Sequence, residues 1–116
     1  MTSNCPFCLR IQKGEYRPEV AGVVSFEPLN PVTPGHRLFV SERHAPNAGS
    51  NPMLTAFVMF AAAWEASHWQ NANIITSIGP QATQTVSHLH IHMIPRRHGD
   101  GLQLPWTNQG ANPPSN

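Results

Sequence analysis

The run Val86-Ser87-His88-Leu89-His90-Ile91-His92-Met93-Ile94 places an imidazole at every second position. On an extended strand successive side chains point to opposite faces, so His88, His90 and His92 share one face and Leu89, Ile91 and Met93 the other. Neighbouring rings on that face stand roughly 6.5 to 7 Å apart, close enough for two to touch one ligand. Imidazole, with a pKa of about 6.5, is mostly neutral at pH 7 and can act as a nucleophile without a separate base. If one ring nitrogen of His90 donates to a fixed acceptor such as a backbone carbonyl, the other is free to attack phosphorus. His92, one step along the face, could protonate or hydrogen-bond the leaving oxygen, and Arg96 could offset phosphate charge. The same three imidazoles also suit a metal ion, or a solvated strand face that uses histidine as a polar filler.

A second chemical signal lies at the other end of the chain. Cys5 and Cys8 are too few and too close for a secreted disulfide framework, which leaves metal or redox chemistry, or two small buried hydrophobes. The start, MTSNCPFCLR, has no apolar run behind a basic segment, and no stretch is apolar for long enough to cross a bilayer. A cytoplasmic protein with no membrane partner is therefore expected. Seven Lys and Arg against six Asp and Glu give a net charge of +1. The one concentrated basic patch, Arg96, Arg97 and His98, fits a single phosphate-bearing ligand better than the long basic stripe of a nucleic-acid binder.

The elements that must position these groups can be read from residue patterns. Val20 to Phe26 and Arg37 to Val40 are β-rich runs joined by the turn-rich stretch Glu27 to Gly35. Ser50-Asn51-Pro52 offers a cap and a first-turn proline for the principal helix, which runs through Trp64 to a polar end at Gln70-Asn71. In it Met53, Phe57, Phe60 and Trp64 form one apolar row and Leu54, Val58 and Ala61 a second. Both rows call for burial, one against a sheet and the other against a second copy, so a homodimer is expected. Asn73 to Ile78 and Thr85 to Ile94 read as strands, the latter stopped by Pro95. The order β, β, α, β, β points to an α+β architecture, an antiparallel sheet with a helix packed on it. At 116 residues the chain is expected to form one domain, residues 1–98, followed by a Gly-, Pro- and Asn-rich tail over 99–116 in which Leu102, Leu104 and Trp106 could dock near a site.

The segment from Gln84 to Arg96 resembles the signature of the histidine triad (HIT) family of nucleotide hydrolases and transferases. Upstream, Asn30 to Val40 followed by His44 resembles that family's second block, and Cys5-Pro6-Phe7-Cys8 resembles the CxxC start of many bacterial members. The resemblance implies a HIT-like antiparallel sheet with one main helix and a short N-terminal helix or turn. It also implies a dimer acting on a purine nucleotide or nucleotide conjugate. His90 takes the place of the residue that attacks the α-phosphate, and His92 that of the residue contacting the leaving or phosphate oxygens. His36 matches a supporting histidine, and Gln84 and Thr85 match loop positions beside the phosphate. The CxxC members carry a structural zinc, which here would be held by Cys5, Cys8, His44 and His88.

The chain departs from the family pattern at three places. Pro28 stands where an Asp or Asn usually binds the ribose, leaving Glu27 or Asn30 to supply that contact. Ser77 replaces an Asn or Gln near the phosphate, and Thr83 replaces a glycine of the loop before the triad. A hydrolase, a nucleotidyltransferase and a zinc-braced binding module with little catalysis all remain compatible with this pattern.

Overall fold

The computed structural model describes residues 4–107. Helix α1 (Pro6–Gln12) starts at Cys5, whose sulfur accepts from the Cys8 amide, and has proline in its first turn. Four of the five strands are β1 (Arg17–Pro18), β2 (Val23–Phe26), β3 (Arg37–Ser41) and β4 (Ala72–Ile75). Helix α2 (Pro52–Ala66) lies between β3 and β4, and β5 (His90–Pro95) closes the series. The sheet is antiparallel throughout, in the order β1-β2-β3-β5-β4. The last strand therefore inserts between β3 and β4, which puts the histidines at the centre of the sheet rather than on its edge.

Alternation along β3 and β5 sorts two cores. Phe39, Leu89, Ile91 and Met93 pack with Val58, Ala61 and Ala62 of α2 on one side. Leu38 and Val40 pack with Phe7 of α1, Val24 and Phe26 on the other. Asn51, not Ser50, caps α2 by accepting from the Leu54 amide at 3.2 Å, and Pro52 takes the first turn. The helix ends at Ala66, four residues short of the polar end expected from sequence. Its two apolar rows part company: Val58 and Ala61 are buried, whereas Met53, Phe57, Phe60 and Trp64 are all at least half exposed, Met53 at 69%.

Three strand boundaries differ from the pattern reading for identifiable reasons. Val20 to Gly22 form a turn, closed by the Val23 amide on the Val20 carbonyl, so β2 begins at Val23. The two-residue edge strand β1 was hidden by Pro18, which an edge position tolerates because it needs no inward donor there. Thr85 to Leu89 is not strand, since the β3 ladder ends at Val40 opposite His90. The Leu89 amide instead bonds the Ala45 carbonyl at 2.6 Å. Likewise β4 stops at Ile75, and the Thr76 hydroxyl replaces the next ladder bond by donating to the His90 carbonyl at 2.8 Å. Of the expected tail, Leu102 and Leu104 are half-buried, and residues 108–116 lie outside the described residues.

Candidate active site

His88 precedes β5 yet faces the same side as His90: both rings meet Phe7 edge-on, at centroid distances of 5.9 and 5.0 Å. His92 lies 5.2 Å beyond His90 and the same distance from His36, which arrives at the start of β3. The face inferred from alternation is thus a row of four imidazoles.

Each ring is held by partners that settle its tautomer. Nδ1 of His90 lies 2.7 Å from the His88 carbonyl, so that nitrogen carries the proton and Nε2 keeps its lone pair. The Val32 amide donates to Nδ1 of His36 at 3.1 Å, leaving the proton of His36 on Nε2. That Nε2–H points at Nδ1 of His92, 3.0 Å away, so His92 in turn carries its proton on Nε2. An acceptor nitrogen on His90 and a donor N–H on His92 result, on neighbouring rings of one strand face. All these rings are neutral at pH 7. Burial lowers the pKa of His36 and of His90, the latter partly offset by its bond to the His88 carbonyl. His92 is pushed down to about 4, by burial first and then by the charges of His90 and His36.

His88 is fully buried and turned differently. Its Nε2–H donates to the Ser41 carbonyl at 2.7 Å, and its Nδ1 lone pair faces the sulfurs of Cys5 and Cys8 at 3.3 and 3.5 Å. Nδ1 of His44 lies 3.4 Å from the Cys8 sulfur. The four candidate donor atoms all fall within 4.8 Å of one another. A tetrahedral zinc with ordinary Zn–S and Zn–N bonds separates neighbouring sulfur and nitrogen ligands by about 3.6 Å, so these spacings fit such an ion. Burial raises the Cys5 thiol, which disfavours a bare thiolate; a dication would reverse that preference. Because both nitrogens of His88 are committed, none is left for one ion shared with His90 and His92. The three-imidazole metal site considered from sequence is therefore not built.

Two cavities flank the His90–His92 pair. The larger, of about 540 Å³, is lined by Phe7, Arg10, Glu15, Asn30, Thr85 and His90 among others. The smaller, of about 210 Å³, is lined by Ser77, Thr83, Gln84, His90 and His92 with their neighbours. Asn30, Pro28 and Thr85 thus face one cavity, and Ser77 and Gln84 the other. The Gln84 amide is engaged by backbone: its oxygen accepts from Gly79, and its nitrogen donates to the carbonyls of Pro46 and Val86. Thr83 adopts φ +72° in this loop, a left-handed conformation that accounts for the glycine of the family pattern.

Two expected contacts are not brought to the site. Glu27 lines neither cavity. Arg96 lines neither and is consumed elsewhere, bonding both Asp100 carboxylate oxygens, Asn73 Oδ1 and the Leu102 carbonyl. The neighbouring Arg97 is the one that reaches toward the histidines. It donates to the Thr33 hydroxyl and, at 3.2 Å, to the Pro34 carbonyl, gripping the turn that carries His36. Phe7 was also missed, although its place between the two cysteines ties it to any metal bound there.

Comparison with known proteins agrees with this geometry. Residues 18–99 match the HIT domain family. An uncharacterised HIT-like protein of Methanocaldococcus jannaschii is 30% identical over 107 residues, covering 84% of this chain and 82% of that protein. The adenosine 5'-monophosphoramidase of Schizosaccharomyces pombe is 26% identical over 118 residues, covering 95% of this chain and 88% of that one. The crystal structure of a HIT family protein from Bacillus anthracis superposes with a TM-score of 0.78 at 26% identity, covering 91% of this chain and 83% of that chain. With the family matched over most of its length and the alternating histidines set on the central strand, this chain belongs to the HIT family.

Proposed function

We propose that the protein hydrolyses a nucleotide conjugate at its α-phosphate, through a nucleotidyl intermediate on His90, and releases a nucleoside monophosphate. The observation that carries this reading is the tautomer of His90, whose Nδ1 proton is held by the His88 carbonyl so that Nε2 keeps a lone pair on a ring that lines both cavities. Nε2 bonds to phosphorus as the bond to the leaving group breaks, and the His92 N–H hydrogen-bonds the leaving atom. Water then cleaves the phosphorus–nitrogen bond and restores His90. The phosphoramidase activity of the fission-yeast relative supports this class of substrate. His36 serves by orienting His92, and Asn30 and Thr85 are suitably placed to contact the nucleotide.

We further propose that Cys5, Cys8, His44 and His88 hold a structural zinc. Two thiolates and two imidazoles close the tetrahedron, so the ion supplies a brace rather than an open coordination site. Unpaired cysteines suit a reducing cytoplasm, and no helix among the described residues is long and apolar enough to cross a membrane. The exposed row on α2 is assigned to a second copy of the chain.

Hydrolysis of a nucleoside phosphoramidate by native protein, His90→Ala and Cys8→Ser, with zinc measured on each, tests both readings. His90→Ala is expected to lose turnover at unchanged zinc, and Cys8→Ser to lose zinc. Turnover that survives His90→Ala sinks the nucleophile assignment, and full zinc in Cys8→Ser sinks the ligand set.

A further inference from the structure

The larger cavity has two chemically different ends. At one, the Phe7 ring abuts His90. From there α1 leads away, and Arg10, three residues on and about 4.5 Å further along the axis, lines the same cavity. Glu15 lies beyond: the chain folds back after α1 so that the Glu15 amide donates to the Arg10 carbonyl at 3.0 Å, and Glu15 also lines the cavity.

The two charged residues differ in freedom. Arg10 is a fixed plate, its guanidinium 4.0 Å from the centroid of the Phe26 ring and its Nη1 donating to the Glu27 carbonyl at 2.8 Å. Glu15 is exposed and is the only carboxylate among the lining residues. The rest of the lining is largely apolar, including Leu29, which is 88% exposed, and Val32, with Asn30 and Thr85 as polar exceptions. Such a wall suits a flat heterocycle, and exposed apolar side chains lining a cavity gain most from one.

With the α-phosphate at His90, as the proposed function requires, a nucleotide that extends along α1 through this cavity brings its base to Glu15. A carboxylate accepts two adjacent N–H donors. Guanine offers such a pair, N1–H beside the exocyclic amine. Adenine offers one donor beside the N1 lone pair, which a carboxylate repels. We propose that Glu15 makes this cavity select guanine nucleotides over adenine nucleotides, with the Arg10 plate flanking the base.

The test compares kcat/KM for guanosine and adenosine 5'-phosphoramidates on native protein and Glu15→Gln, with GMP and AMP affinities measured alongside by calorimetry. Native protein is expected to favour guanosine about tenfold or more, mainly through KM, as one well-made pair of base contacts allows. In Glu15→Gln the preference should shrink to about twofold or less, because the amide replaces one acceptor by a donor: guanosine KM rises, while adenosine KM falls as the amide oxygen and N–H meet the adenine amine and N1. Native protein treating both bases alike, or a Glu15→Gln variant that keeps the preference, overturns the proposal. If neither compound is turned over but GMP still outbinds AMP only in native protein, selection by Glu15 stands and the hydrolase reading falls. Failure of both nucleotides to bind removes both.

Discussion

Replacing His36 by leucine isolates the outermost step of the histidine row. Leucine fills the buried site but offers no donor to His92 Nδ1, which then loses its 3.0 Å hydrogen bond. Such a bond between neutral groups is worth about 1 kcal/mol net, and 1.36 kcal/mol corresponds to a factor of ten in rate. The ring of His92 becomes free to move its proton to Nδ1 and present a lone pair where it had presented an N–H. A fall in kcat of about five- to tenfold is expected at nearly unchanged KM, far less than the loss expected of His90→Ala. The pH dependence should shift as well. His92 is held down to about 4 by burial first and by the charges of His90 and His36 after that, so deleting His36 removes one cause and the pKa rises. Activity that needs neutral His92 is lost as pH falls through that pKa, so the acid limb should move to higher pH in the variant. Steady-state kinetics across pH, with nitrogen NMR of the His92 ring, measure both effects. An unchanged kcat, a loss as deep as that of His90→Ala, or an acid limb displaced to lower pH would refute the reasoning.

Gly35 and the surface of α2 yield two more expectations. A Cβ at Gly35 would sit 2.8 Å from the Trp69 ring and 2.9 Å from Pro95, at φ +90°. Left-handed strain and overlap with rigid rings together place the cost of Gly35→Ala at about 3 kcal/mol, a drop in melting temperature of about 10 °C. A melting point within about 2 °C of native, followed by circular dichroism, would show that the turn simply opens. Light scattering should report a dimer that Phe57→Lys converts to monomer, since Phe57 lies mid-row on the exposed face of α2; a native monomer would remove the second copy.

What was legible in the sequence was what repeats with the period of an element. The histidine face followed from alternation alone, and the α2 start from Asn51 and Pro52. The CxxC spacing, together with the family resemblance, named a donor set whose members do converge, although they come from α1, the bend after β3 and the approach to β5. What escaped was set by partners distant in sequence or by where a long side chain turns. Arg96 and Arg97 read as one basic patch, yet Asp100 closes an ion pair with the first, while the second crosses to Thr33 and Pro34. The outward row of α2 is as apolar as the inward one, so periodicity could count the faces but not assign their partners.

His88 joins the proposed brace to the proposed chemistry. Its side chain faces the cysteine pair, its Nε2–H is fixed on Ser41, and its carbonyl fixes the proton of His90. Phe7, between Cys5 and Cys8 in sequence, packs T-shaped against both rings. An ion bound by the cysteines would therefore fix the backbone that holds the tautomer of His90 and the helix that walls its cavity. It could influence reactivity through position alone, without touching the phosphate.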